Sequence, residues 1–322
     1  MARTKPQEPL RIHGLELEAG ARHDIELSQS NLPSAQVLPM ELVVLHGRRP
    51  GPGLWISAAI HGDELCGVEI VKRVITGIDP ERLNGTLYAV PIVNTFGFLQ
   101  HTRTLPDGRD LNRCFPGSTQ GSLASRLANI FMTEIVARCD YGIDLHTAGS
   151  GRDNLPQVRA DLDDEQTALA AQAFGAPVMV HSRLRDGSLR AAAGARGKKT
   201  LLFEGGPPQR FDDRAIAVGE RGVRNVMALL RMAGGARLRR PPKPSVPVRR
   251  VSWVRSPRAG VARLKARLGD RVTAHQTLGS VSDPLGGGLK LLRAPFDGIV
   301  VGIATDPLTY QGDALLNIGR ID

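Results

Sequence analysis

The sequence predicts an α/β protein, with a mixed central sheet and flanking helices, followed by a small C-terminal all-β domain. Three observations predict it. Short apolar runs that read as buried strands alternate with amphipathic stretches at helical spacing through the N-terminal part. A Pro- and Arg-dense linker without periodicity then covers residues 237–249. Beyond it the texture changes to short strands and turns, and two stretches repeat. At 322 residues the chain can bury a full core, and these breaks divide it into domains at 1–236 and 250–322.

Residues 10–46 alternate loosely through Ile12, Leu15, Leu17, Ile25, Leu27 and Leu42 to Leu45, as antiparallel strands feeding the central sheet would. Leu54 to Ile60 is a continuous apolar run, the pattern of a strand covered on both faces. Val68, Val71, Ile75 and Ile78 place an amphipathic helix over 67–76, and residues 87–93 return as a strand, closing a β–α–β unit. The polar segment 94–121 is too long for a plain connection, and loops of that length are usually functional. Leu123, Leu127, Ile130, Phe131 and Ile135 mark the next helix, and Tyr141 to Leu145 the next strand. Asp163 and Asp164 supply negative charge at the start of a helix that ends near Phe174-Gly175. A strand over 177–181, a loop, a strand over 200–203 and a helix over 215–232 complete this part.

In the tail, Ser256-Pro257-Arg258-Ala259-Gly260-Val261 matches Ala294-Pro295-Phe296-Asp297-Gly298-Ile299, and residues 270–276 match 306–311. Two such halves predict a small β-sandwich with pseudo-twofold symmetry.

Composition narrows the function. No apolar run approaches the ~20 residues of a membrane span, and the start, MARTKPQEPLRIHG, has no apolar signal-peptide core. Cys66, Cys114 and Cys139 form no C-x-x-C and fit reduced thiols in a cytoplasmic protein. The net charge of +10 invites a nucleic-acid partner, but only 4% of residues are aromatic, which leaves few stacking platforms. A solvated surface in an Arg-, Ala- and Gly-rich composition accounts for the charge better, and a basic enzyme would still attract anionic small substrates. Gly197-Lys198-Lys199-Thr200 is no phosphate loop, because it lacks the leading glycine and precedes a strand instead of following one.

The chemistry gathers at strand ends. The Leu54 run stops at His61-Gly62-Asp63-Glu64, the Tyr141 run at His146-Thr147, and the Thr200 run at Glu204-Gly205-Gly206. A lone H-x-x-E is weak evidence, since a surface histidine beside acidic turn residues would also produce it. Its recurrence is what counts: ligands in open α/β sheets bind outside the carboxyl ends of strands, so these residues converge on one rim. Zinc takes His and Glu ligands, and a catalytic zinc keeps one position open for water. Cys66, close by in sequence, is read as packing.

With these residues laid out, the chain resembles the succinylglutamate desuccinylase/aspartoacylase family, relatives of the zinc carboxypeptidases. The matching motifs are His61-Gly62-Asp63-Glu64, Asp110-Leu111-Asn112-Arg113-x-Phe115-Pro116-Gly117, Asp144-Leu145-His146-Thr147 and Phe203-Glu204-Gly205-Gly206, in the family's order over about residues 54–232. The resemblance implies a zinc carboxypeptidase-like fold and one zinc per chain on His61, Glu64 and His146, with Glu204 as general base and then acid. It implies Arg103 as the oxyanion cation, with Arg109 as competitor, and Asn112 and Arg113 on the substrate carboxylate. Asp110 would orient a ligand histidine, while Arg109, Arg152 and Asn154 are further candidates for substrate contact. The tail is similar to the barrel-sandwich, lipoyl/biotinyl-like module of some members, but the turn at Ser282 to Gly288 has no Met-Lys-Met, so no carried cofactor is expected.

The activity implied is hydrolysis of an acetyl or succinyl group from an N-acyl amino acid. A metallocarboxypeptidase acting on peptides, and a non-catalytic metal-binding or assembly protein, are the alternatives. No nucleic-acid or membrane partner is expected, and homo-oligomerisation is left open.

Overall fold

The computed structural model describes residues 7–27, 38–232 and 244–321. Most of the linker expected at 237–249 therefore lies outside the described residues.

The chain opens with a small hairpin of β1 (Leu10–Ile12) and β2 (Leu15–Leu17), apart from the main sheet. Next come β3 (Ala21–Leu27), β4 (Met40–His46) and β5 (Arg49–Ala58), then helix α1 (Cys66–Thr76) and β6 (Asn84–Val90). The segment expected as loop holds a short helix, α2 (Thr95–Gln100), and a 3-10 turn at Leu111–Arg113. Helix α3 (Leu123–Ile130) ends sooner than its apolar spacing predicts, and the chain continues as a π turn over Phe131–Ile135. After β7 (Tyr141–His146) come β8 (Arg152–Ala160), α4 (Glu165–Phe174), β9 (Val178–His181), α5 (Leu189–Gly194), β10 (Lys199–Gly206) and α6 (Asp213–Leu229).

Four strands run parallel in the order β6–β5–β7–β10, so their carboxyl ends share one rim. Strands β3 and β4 extend the β6 edge, and β8 the β10 edge, antiparallel. Alternation along β5 sends Leu54, Ile56 and Ala58 into a core with α1, α4 and α6, while Trp55 enters a second core with α3 and the π turn. Trp55 is fully buried, a burial that stabilises by ~3 kcal/mol. Its ring lies over Gly142 of β7, where a Cβ would come within 1.9 Å of it.

Strand β8 was not expected. Its sequence, RDNLPQVRA, contains Pro156, which ordinarily argues against an interior strand. The ladder slips there: Glu204 pairs with Gln157 but Gly206 pairs with Asn154, so Pro156 sits in a β-bulge that needs no amide donor. Helix α5 is short and alanine-rich and was read as loop.

The tail begins with β11 (Val246–Val248), which falls inside the expected linker yet pairs with β9. Then follow β12 (Val251–Arg255), β13 (Gly260–Leu264), β14 (Arg271–Val272), β15 (Thr277–Ser282), β16 (Lys290–Arg293), β17 (Gly298–Ala304), β18 (Leu308–Thr309) and β19 (Ala314–Arg320). The repeat folds as two matching sets: β13 pairs with β15 and β17 with β19, while the short strands cross over, β14 to β17 and β18 to β13. Val272, Leu278, Val281, Val300, Leu315 and Ile318 fill the space between them. This is the small β-sandwich with paired halves that the repeat predicts. It also joins the main sheet, because β17 pairs with β8 at Arg152 to Asn154. No helix among the described residues is long and apolar enough to cross a membrane.

Candidate active site

At the end of β5 the chain turns through Ala59, whose φ of 50° is left-handed and sterically disfavoured for a residue with a Cβ. Gly62 follows, packed so closely on α2 that a Cβ would lie 1.9 Å from the Gly97 carbonyl carbon. Together they swing His61 and Glu64 over the rim. There Glu64 Oε1 lies 2.7 Å from His61 Nδ1, and Glu64 Oε2 lies 2.8 Å from His146 Nδ1. All three side chains are buried, and the Thr147 amide also donates to Glu64 at 3.0 Å. The strand-end convergence expected for the His61 and His146 strands is present.

The second ring nitrogen of each histidine faces another carboxylate. His61 Nε2 lies 3.1 Å from Asp110 Oδ1, and His146 Nε2 lies 2.8 Å from Asp144 Oδ2. Asp144 is held in turn by the Ser57 hydroxyl at 2.8 Å, across the β5–β7 ladder. Each Nε2 can give its hydrogen to its own carboxylate, so each Nδ1 meets Glu64 either with a proton or with a lone pair. Lone pairs facing a carboxylate in a buried site repel unless a cation or protons lie between them.

The electrostatics say the same. Burial alone would push the Glu64 carboxyl up, but the charges and hydrogen bonds of His61 and His146 outweigh it and hold Glu64 well below the ordinary carboxylate range. Burial would lower both histidines, yet Asp144 and Glu64 raise His146 well above its usual value, and Glu64 and Asp110 raise His61. The group demands positive charge at its centre, and neutral imidazoles with a carboxylate are a donor set that could hold a metal ion. Cys66 is not part of it: burial pushes its thiol up to about 11, and its sulfur meets the Arg210 carbonyl and the Asp212 amide.

Glu204 stands opposite His146 in the β10–β7 register. Its Oε2 accepts from Asn154 Nδ2 at 2.7 Å, and its Oε1 lies 3.4 Å from Arg159 Nε. Glu204 and the His–Glu–His group line one cavity of about 720 Å³. Of the other residues expected there, Arg103, Asn112, Arg113, Arg152 and Asn154 all line it. Arg103 reaches Asp110 Oδ2 with Nε and Nη2 at 3.2 and 3.0 Å and extends Nη1 to 3.5 Å from Glu64. Asn112 spends its carbonyl on the Leu189 amide at 2.9 Å, which leaves its NH2 for the cavity. Arg113 donates to the main-chain carbonyl of Asn112.

Arg109 is a correction. Its guanidinium is paired with Asp107 at 3.1 Å, it is more than half exposed, and it does not line the cavity, so Arg103 alone of the pair faces the metal-binding group.

Several residues on the cavity wall, and Asp144 behind His146, carry roles the sequence reading did not assign. Asp144 was detectable, because alternation places it on the same face of β7 as His146. Arg159 lies beyond the bulge of β8, where alternation no longer holds. Arg183 and Arg185 follow β9, and Arg190 is on α5. Trp253 comes from β12 in the tail, its ring 4.9 Å from the Arg152 guanidinium, so the tail completes the cavity wall.

Fold and site together define the class: an open α/β protein with a metal-ready, acid–base cavity at the carboxyl ends of its parallel strands. Residues 50–230 match the model of the succinylglutamate desuccinylase/aspartoacylase catalytic domain, and the chain belongs to that family. It is 29% identical over 316 residues to N-alpha-acetyl-L-2,4-diaminobutyric acid deacetylase of Halomonas elongata, covering 94% of this chain and 92% of that one. Among solved structures it resembles a succinylglutamate desuccinylase/aspartoacylase from Rhodobacter sphaeroides, with a TM-score of 0.84 and 25% identity over 94% of this chain and 96% of that one. The product-bound ectoine utilization protein EutE (DoeB) of Ruegeria pomeroyi has the same TM-score and identity and covers 99% of both chains. Like the members of this family, the chain is a hydrolase acting on amide bonds.

Proposed function

We propose that the protein is a zinc-dependent deacylase that releases the acyl group of an N-acyl amino acid, working in the cytoplasm with one zinc per chain. The observation that carries this reading is the register of Glu204 opposite His146, which sets a proton-accepting carboxylate beside the His–Glu–His group in one cavity. His61, Glu64 and His146 would hold the metal. When bound, zinc supplies a water whose pKa falls to about 7 and a Lewis acid for the amide oxygen.

The protein's own groups do the rest. Glu204, steadied by Asn154 and Arg159, takes the water's proton and returns it to the leaving amine, whose nitrogen must be protonated to depart. Arg103, fixed by two bonds to Asp110, offers Nη1 toward the developing oxyanion. Asn112 and Arg113 hold the substrate carboxylate, where a guanidinium gives a planar two-pronged grip that lysine lacks. Residues 1–236 would carry this chemistry, and residues 250–322 would wall the cavity through Trp253.

The Halomonas relative is named for an acetyl substrate, which makes N-acetyl amino acids the first to assay, beside N-succinyl amino acids and short peptides. Turnover of acylated amino acids but not peptides, lost in Glu204→Gln with zinc retained, is expected. Peptide turnover alone would favour the carboxypeptidase activity, and full activity in Glu204→Gln would refute the proton-transfer role.

A further inference from the structure

Gly302 is buried in the interior of β17, in a run, GIVVGIA, that is otherwise apolar and largely β-branched. Glycine weakens a strand interior, and where one persists another group usually approaches the backbone closely. Its φ lies outside the left-handed region, so no turn calls for it. The repeat sharpens the point. The spacing that matches Ser256–Val261 with Ala294–Ile299 sets Leu264 of β13 at the position equivalent to Gly302. Strand β13 pairs only within the tail, with β15 and β18, whereas β17 also pairs with β8 beside the active site. Glycine stands in the copy that meets the site.

The group that approaches is Asn154. It sits opposite Gly302 in the β17–β8 ladder, and a Cβ on Gly302 would lie 2.8 Å from its Oδ1. Its other end, Nδ2, donates to Glu204 Oε2 at 2.7 Å. The amide has one workable orientation, because Oδ1 turned toward Glu204 would face a carboxylate with no hydrogen between them. Asn154 therefore spans from Glu204 to the tail, with its carbonyl in the space a side chain at 302 would take. At this level β8 bulges against β10, and β17 against β19, and bulges re-aim the side chains beside them. The other neighbours of a Cβ at 302 would tolerate it: Asn317 Cβ at 3.4 Å and the Asp153 carbonyl at 3.7 Å. The one conflict is with the end of a movable side chain. A larger residue at 302 would turn Asn154 aside and cost catalysis before it cost stability.

We infer that Gly302 is a positioning residue for the proton-transfer step: it leaves room for the Asn154 carbonyl and so keeps the Asn154 amide on Glu204. The tail domain then sets the aim of the base as well as walling the cavity. Gly302 itself does not line the cavity and acts only through Asn154. This rests on the deacylase reading.

The test is a double-mutant cycle on the zinc-loaded full chain, assayed with the N-acetyl amino acid that the wild type hydrolyses best. Gly302→Ala should lower kcat roughly 10- to 100-fold, the worth of a hydrogen bond to a charged group. KM, zinc content and thermal midpoint should stay close to wild type. Asn154→Ala should lower kcat by a similar factor, and adding Gly302→Ala to it should change nothing further. Wild-type kcat in Gly302→Ala, or an equal loss whether or not Asn154 is present, overturns the inference and leaves the deacylase reading intact. A crystal structure of Gly302→Ala gives a readout independent of turnover. Asn154 Nδ2 should lie out of hydrogen-bond reach of Glu204, and a bond still in place overturns the inference. Glu204→Gln, run beside the cycle, tests the reading beneath it: turnover retained there removes the proton-transfer role and the inference together.

Discussion

The metal-binding rim and the arginine-lined wall of the same cavity are built in opposite ways. The rim comes from the ends of parallel strands, three short apolar runs that each stop at a ligand or base. The wall comes from a bulged strand, a six-residue helix, an irregular segment and a tail strand far away in sequence. Chemistry that must be placed to within fractions of an ångström rests on the most rigid part of the sheet. Recognition rests on segments that can vary without disturbing it. Rim substitutions should therefore abolish turnover, whereas wall substitutions should change which substrate is turned over.

The largest effect should follow Glu204→Gln. Loss of a general base lowers kcat by about 10²- to 10⁴-fold, with zinc content unchanged by elemental analysis. A variant that kept its turnover would erase the distinction between rim and wall.

Next in size, Asp144→Asn should weaken metal affinity about 10- to 100-fold in a competitive chelator titration, because an amide orients His146 less firmly than a carboxylate. Metal retention should also depend on pH with a definite sign. His61 and His146 bind protons more tightly in the metal-free fold than free histidine does. Protons therefore compete for the Nδ1 positions already above the ordinary histidine range, and affinity should fall steadily as pH drops toward 6.5. Affinity independent of pH there would contradict the cluster as described.

Trp253→Ala should act on the wall only, raising KM several-fold by releasing Arg152 while kcat changes little, as steady-state kinetics would show. A large kcat loss would move Trp253 to the rim side of the comparison.

The smallest effect is structural. Asp164 caps α4 by accepting from the Thr167 amide at 2.9 Å. Asp164→Ala should cost ~1 kcal/mol in denaturant unfolding. Lys199 and Thr167 hold the Asp164 carboxyl down at about 2. The stabilisation is thus present above the unfolded value near 4, and the difference between variant and parent should fade as pH drops from about 4 toward 2.

How much was legible in the sequence follows from the same contrast. His61, Glu64, His146 and Glu204 could be read because a buried parallel strand advertises itself as an apolar run and its first polar residue marks the rim. The tail's pseudo-twofold pairing could be read because the repeat keeps its turns. Strand β8 could not, since Pro156 breaks its alternation and only the bulge against Gly205 explains how it is tolerated. Helix α5 is too short and too rich in alanine to show a face, so Arg190 carried no signal. Arg109 looked equivalent to Arg103 because spacing within an irregular loop does not say which side chain turns inward. Asp107 settles it by holding Arg109 outside.

The central claim is a metal on His61, Glu64 and His146, and the most direct measurement is the zinc content of wild type and His146→Ala, purified in parallel without added metal. One zinc per chain in the wild type and its loss in a still-folded variant is the predicted result. A wild type without tightly held metal, or a variant that keeps its zinc, would contradict the account.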